Sequence, residues 1–460
     1  MQEKSLDLKE EVSLLNSEDP AIRREAAEKY TSINMPEEIA KVLAEKLLDP
    51  DNGVRDAVCQ SLILNDYEKI PNYVVPYTGS TLEISTRNLA GEILLRRGVT
   101  AIPAMVAFID EGDDDDKKFI IDLLGLIGDL SPAAKIVEVL RKTENENVAL
   151  ACFEALGNIR SDEEVEELES FYGKNELYKP TIIEALGKIG SDRAVNFIIE
   201  KYAVEDELTK FSMIESLGLI GNEQAFFMLV GELEYVTGAL TWAAISTLKK
   251  LRDKYGLDVP FDEHMKNAIL ATLTDAEIEY KRAAANLITE FEDKEIVETC
   301  LNLYGKDEEI DYNIKSRFFD NPAFSFPKIA DYLKQKPQHI KELLELVSEI
   351  IQRDGGQCLG ELNDMDFRNL GDAFSISLDD PDEEVRRYSI ELLFFINPET
   401  ALVFLDTMLG DDNYWNRLRV LEILENFEDE RANNAIKKLA EDQEEMVREK
   451  AQELVSQRNL

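Results

Sequence analysis

Histidine is nearly absent from this chain: His264 and His339 are the only two in 460 residues. The four cysteines, Cys59, Cys152, Cys300 and Cys358, are scattered and form no C-x-x-C. A zinc site needs clustered His or Cys ligands, so no metal is expected. The thiols read instead as reduced, largely buried core residues of a cytoplasmic protein. Also missing are G-x-S-x-G, a P-loop and the glycine fingerprint of dinucleotide-binding domains. No run of about 18 apolar residues occurs, which excludes a membrane-spanning helix. The first residues, MQEKSLDLKEEV, lack the basic start and apolar stretch of a secretory leader, so none is expected. Period-two alternation is absent over any useful length, which argues against a sheet. No catalytic residue or cofactor emerges, and the chain is read as non-enzymatic.

Positive charge is also scarce. Against 94 Asp and Glu stand 51 Lys and Arg, a net charge of −43. Binding a nucleic-acid backbone requires concentrated cations, and an anionic membrane surface attracts them; both are disfavoured. Two readings of the acidity stay open: it confers solubility, or it draws a basic protein partner.

What the chain does have is repetition. LLGLIGD, EALGNIRSD, EALGKIGSD and ESLGLIGNE, around Gly125, Gly157, Gly187 and Gly218, recur about every 31 residues, the mark of a repeat array. In NENVALACFEALGNI, with Val148 as position 1, apolar or small residues fall at positions 1, 5, 8, 9 and 12, one face of a helix. The template also fits at Ile22, Val54, Thr86, Asp116, Tyr178, Thr209, Leu240, Tyr280, Val385, Asn416 and Val447. Three residues before each position 1 stands Asp19, Asp51, Glu83, Asp113, Asn145, Asn175, Asp206, Thr237, Glu277, Asp382, Asn413 or Glu444. Asp, Asn and Thr there accept hydrogen bonds from a first helical turn, and Glu suits its positive end. Position 2 is basic in most units, among them Arg23, Arg87, Lys179, Arg386 and Arg417. These cations are expected to reach the capping acids of neighbouring units as a structural ladder. The acidic run Asp113–Asp116 lacks the spacing of an EF-hand loop and is read as a helix start.

Second amphipathic segments, such as Pro36–Leu48, Ser131–Leu140, Ala194–Tyr202 and Pro398–Leu409, alternate with these helices. Each unit therefore reads as a helical hairpin. Regularity fails between residues 306 and 380, where Pro322, Pro327 and Pro337 interrupt helices and Phe318, Phe319, Phe324 and Phe326 cluster. That stretch is either a joint or an aromatic docking patch. Its turn at Gly355–Gly356 makes Asp354–Gly360 the expected first site of proteolysis.

DPDEEVRRYSIELL, DPDNGVRDAV and EALGKIGSDRAV resemble HEAT repeats, most closely the short subtype named for phycobilisome lyases. The resemblance implies an all-α solenoid: a right-handed superhelix of about 14 stacked hairpins, each packed only on its neighbours, with the capped helices lining the concave face. It implies one such array over residues 1–460, with regular repeats at 10–305, an irregular joint at 306–380 and C-terminal repeats at 381–460. HEAT-like di-iron hydroxylases carry several His-Glu pairs, and this chain contains no His-Glu dipeptide. HEAT-like DNA glycosylases use a basic cleft, which this charge contradicts.

Positions 3 and 7 point away from the buried stripe. Position 7 is mostly acidic and includes Asp122, Glu154, Glu184 and Glu215. This either reflects a common residue on an exposed helix or steers a ligand. Position 3 turns apolar in mid-chain, at Leu150, Pro180, Phe211 and Trp242. Either these anchor a partner or curvature buries them against adjacent repeats. The sequence thus supports a scaffold or adaptor that binds a basic or amphipathic protein segment, with Leu150, Phe211, Trp242, Asp122, Glu154, Glu184 and Glu215 lining one groove. A phycobilin-lyase-like chromophore lyase or chaperone, and a regulatory scaffold of a bacterial signalling cluster, remain alternatives.

Overall fold

The computed structural model describes residues 8–353 and 355–460. The first seven residues, where no leader was expected, and Asp354 of the expected cleavage site lie outside them. Every regular element among the described residues is α- or 3₁₀-helical, so the chain is an all-α solenoid. No helix of the described residues is long and apolar enough to cross a membrane. The chain divides into two units, Met1–Gly231 and Glu232–Leu460.

The helices start where side chains supply acceptors. Asp19, Asp51, Asp113, Asn145, Asp206, Asp382 and Asn413 each accept from backbone N–H groups of the turn that follows. Asn175 caps a 3₁₀ turn, Glu176–Tyr178, that leads into the next helix. Glu83, Glu277 and Glu444 occupy cap positions without a side-chain bond. The expectation at Thr237 is one residue out: the helix Ala239–Tyr255 begins after Gly238, whose φ of +58° suits glycine's missing Cβ. The acidic run is a capping box, with Asp113 accepting from Asp116 N–H and Asp116 returning the bond.

In the first unit, capped helices α1 (Asp114–Ile127), α2 (Glu146–Ile159), α3 (Lys179–Ile189) and α4 (Glu207–Ile220) pack side by side as one layer. The recurring glycine explains how closely. A β-carbon on Gly125 would lie 2.8 Å from Ala155 Cα, and one on Gly157 would lie 2.6 Å from Ala185 Cα. On Gly187 it would meet Ser216 Oγ at 3.0 Å. The L-G motif is thus a helix-to-helix contact in which one unit's glycine receives the next unit's small residue. The second helices, such as Ala133–Lys142 and Asp192–Tyr202, cover the other side and bury the apolar stripe.

The basic ladder exists, with a sharper geometry than expected. Arg23 donates from Nε and Nη2 to Asp49, both at 2.8 Å, and from Nη1 to the carbonyls of Ser17 and Glu18. Asp49 lies two residues before the next cap and accepts from that cap's own N–H, on Asp51. Arg417 repeats the pattern with Asp442 and the N–H of Glu444. At Arg23, Arg386 and Arg417 the partner is the acid two residues ahead of the cap. Arg87 instead reaches Asp115, just past the cap Asp113, and Lys179 reaches Glu205, one residue ahead of the cap Asp206. Side-chain reach sets the difference, since the cap's own oxygen is already occupied by the helix it starts.

In the second unit, α5 (Ile340–Arg353), α6 (Glu383–Ile396) and α7 (Tyr414–Leu424) form part of a similar layer. Residues 306–380 are mostly helical, with Asp307, Asn321 and Asn363 as side-chain caps. The expected break at Pro327 does not occur. Pro322 opens the helix Pro322–Leu333, and Pro327 sits inside it while neighbouring Phe326 is fully buried. Packing of Phe326 and Ile329 offsets the backbone bond that proline forfeits. Phe318 and Phe326 are core residues, and Phe319 lies beneath Lys315 and Arg353.

Candidate functional site

At 100° per residue, the residue just before position 1 and positions 3, 7 and 11 fall on one face of a capped helix. In α4 these are Leu208, Phe211, Glu215 and Leu219. Leu208 is 75% exposed and Leu219 69%, while Phe211 and Glu215 are half-buried. The opposite face of α4 buries Met213, Ile214 and Leu217. This helix therefore carries apolar residues on both sides, with Glu215 among those of the outward face, unlike an ordinary surface helix with one wet face.

The same face continues on the neighbouring helices. Leu177, just before α3, is exposed, as is Pro180 within it. Leu150 on α2 is half-buried, and Leu126 on α1 is 65% exposed. The expected carboxylates lie here too: Glu154 and Glu184 are exposed and Asp122 is half-buried. Two hold cations of their own helix, Asp122 from Lys118 at 2.7 Å and Glu184 from Lys188 at 2.8 Å. The layer thus gathers Leu150, Phe211, Asp122, Glu154, Glu184 and Glu215. Trp242 belongs to the second unit, where it is half-buried with its ring 6.3 Å from that of Tyr280.

Sequence reasoning missed the more exposed apolar residues, Leu126, Leu208 and Leu219. The signal was present, because the angular argument that selects positions 3 and 7 selects their residues as well. It also passed over Leu418, at position 3 of α7 in the second unit. There α6 and α7 carry a charged network: Arg419 donates to Glu391 at 2.9 Å and to Glu422 at 2.8 Å, and Arg387 approaches Glu391 at 3.5 Å. A cleft of about 460 Å³ opens on one side of Arg419 and Glu422, and a second of about 360 Å³ on the other.

Among the described residues, no group of three His, Cys, Asp or Glu is placed to hold a metal ion. The four cysteines are buried; burial pushes the Cys59 thiol up to about 11 and the Cys152 thiol up to about 12, away from the reactive thiolate.

Residues 372–456 match the family model for HEAT repeats. Among solved structures, the chain is similar to the karyopherin Kap121p bound to the extreme C-terminus of the protein phosphatase Cdc14p, at 10% identity and a TM-score of 0.39. That alignment covers 99% of this chain and 62% of Kap121p. Kap121p bound to Nup53p aligns at 11% identity and a TM-score of 0.37, over 99% of this chain and 57% of that one. Importin beta in an ammonium sulfate condition aligns at 12% identity and a TM-score of 0.41, over 97% and 68%. The chain thus spans less than two thirds of either Kap121p chain. No curated protein matches it.

Proposed function

We propose that this chain is a non-enzymatic scaffold that binds a partner protein against the outward face of the α1–α4 layer. One observation carries the reading: α4 carries apolar residues on its outward side, where Leu208 and Leu219 stand exposed in line with Phe211. Contiguous exposed apolar surface marks interaction sites on soluble proteins. The carboxylates of Asp122, Glu154, Glu184 and Glu215 share that face, so the favoured partner segment is amphipathic, with Lys or Arg beside its apolar anchors. The acidity of the whole chain supports the same sign of partner.

A lyase role rests on repeat subtype alone, so it is not the reading we adopt. The test is affinity capture with mass spectrometry, using wild type and a Leu208→Asp/Leu219→Asp variant side by side. Partners recovered by wild type and lost by the variant support the reading. An identical recovered set overturns it.

A further inference from the structure

We propose a second docking site in the second unit, the paired clefts of α6 and α7, which takes a short partner segment with one bulky apolar side chain next to a Lys or Arg. It rests on residues separate from the α1–α4 face, and either site can fail without the other.

The larger cleft is open to solvent and half apolar, with Ser348, Gln352 and Asn426 sharing its lining. Ile351 of α5 and Ile423 of α7 line it, and the ring of Phe394 lies tilted against that of Phe427 with centres 5.4 Å apart. Phe395 stands at its edge, 54% exposed, at position 11 of α6. Its ring is backed by Gly356: a β-carbon there would come within 3.1 Å of Phe395 Cζ. A volume of about 460 Å³ lies within the range of ligand sites and exceeds what one Leu, Met or Phe side chain fills.

The smaller cleft beside it is polar. Its walls hold Glu383, Glu384, Arg387 and Trp415, the last 53% exposed. Arg419 and Glu422 form the partition shared by the two clefts. Arg419 is held there by Glu391 and Glu422 together, so it is a fixed wall and not a mobile cation seeking an anion. Across both clefts stand the carboxylates Glu383, Glu384, Glu391 and Glu422 against two guanidiniums, Arg387 and Arg419. Lys341 pairs with Glu384, which leaves one uncompensated negative charge. The smaller cleft is balanced by itself, Glu383, Glu384 and Glu422 against Arg387, Arg419 and Lys341, so the surplus charge is that of Glu391 in the larger cleft. A half-apolar cleft that carries it fits a segment that pairs an apolar anchor with a cation, and Trp415 offers a face over which that cation can lie. An acidic segment would meet carboxylates on both sides of the partition.

The test uses the full chain and a phage-displayed random peptide library. Enriched peptides, resynthesised with a fluorophore, are titrated by anisotropy. The expected consensus is one Leu, Met or Phe flanked by Lys or Arg. Phe395→Asp is expected to weaken binding of such a peptide about tenfold or more, and Leu208→Asp/Leu219→Asp to leave it unchanged. Should Phe395→Asp fail to fold by circular dichroism, methyl NMR of the wild type decides. The peptide is then expected to shift the Ile351 and Ile423 methyl signals and leave those of Ile182 and Ile214 in place. Enrichment of acidic peptides, or basic-apolar peptides that bind Phe395→Asp as tightly as wild type, overturns the proposal. So do methyl shifts confined to the first unit; that outcome would support the α1–α4 face instead.

Discussion

Arg386 donates from Nε and Nη2 to the two carboxylate oxygens of Asp411, at 2.8 and 2.9 Å, across 25 residues of sequence. Asp411 in turn accepts from the N–H of Asn413, the cap of α7, and from the amide of Asn416. One ion pair therefore ties a helix of one repeat to the start of the next. Asp411 is 8% exposed, so removing either partner strands the other away from water. Arg386→Ala or Asp411→Ala is expected to cost about 3 kcal/mol, read as a lower urea midpoint. The double change to Met and Leu, which leaves no orphaned charge, is expected to cost less than the two single changes added. Additive costs would show that the pair acts as two independent surface charges.

The ladder also sets a pH response. Burial pushes the carboxyls of Asp49 and Asp411 up, but the guanidinium bonds and backbone N–H groups outweigh it and hold both below the usual carboxylate range. Asp442 is lowered chiefly by its bond to Arg417. A depressed folded-state pKa contributes stability that is complete above the unfolded value, near 4, and is lost as pH falls through the lower folded value. Melting temperature is thus expected to drop on acidification below about pH 4. The Asp49→Asn/Asp411→Asn/Asp442→Asn variant is expected to start lower and lose less over the same range. Parallel curves for variant and wild type would contradict this.

Glycine gives a prediction with an unusual sign. Alanine is the better helix former by about 1 kcal/mol, so Gly→Ala inside a helix normally stabilises. At Gly157 the new methyl would lie 2.6 Å from Ala185 Cα, a backbone atom that moves only if the neighbouring helix does. Overpacking of that kind costs about 1–3 kcal/mol, so Gly157→Ala is expected to destabilise. Gly231, also helical, has no atom within 4 Å of its β-carbon position, and Gly231→Ala is expected to be neutral or stabilising. Equal effects at the two sites would remove close packing as the reason for the motif.

Much of this was legible because it is local. The cap at Asp51 and the helix that follows need only a few consecutive residues, so spacing alone locates them. The glycine period announced a repeat, yet its cause, Gly157 against Ala185, is a contact between units that one repeat cannot reveal. Pro327 misled for a related reason: the sequence shows the lost backbone bond and hides the packing that outweighs it. On the candidate face, Asp122, Glu154 and Glu184 were picked out by period, whereas Leu208 and Leu219 were passed over because only positions 3 and 7 of that face were read.

Capping provides an internal control. Asp51 Oδ1 accepts from Val54 N–H at 3.0 Å, and Asp382 Oδ1 from Glu384 N–H at 2.8 Å. Replacing either by Ala is expected to cost about 1 kcal/mol and to raise amide exchange in the first turn that follows. Thr237 occupies the equivalent sequence position, but its helix begins after Gly238 without a side-chain cap. Thr237→Ala is therefore expected to change neither quantity. A loss at Thr237 matching that at Asp51 would mean the helix start is assigned one residue too late.

Once a partner for the α1–α4 face is in hand, apolar and charged contributions to binding should separate kinetically. Leu208 and Leu219 act only at contact range, so Leu208→Asp/Leu219→Asp is expected mainly to raise the dissociation rate. Glu154, Glu184 and Glu215 act at a distance through their field. Reversing all three to Lys is expected to lower the association rate and flatten its dependence on ionic strength. Trp242→Ala is a different case: the ring is half-buried beside Tyr280, so its loss reads out in stability of the second unit as well as in binding. Surface plasmon resonance at two salt concentrations, with melting curves for each variant, distinguishes the three. If the leucine and glutamate variants both associate and dissociate like wild type, the partner does not use this face, and the clefts of α6 and α7 become its site of attachment.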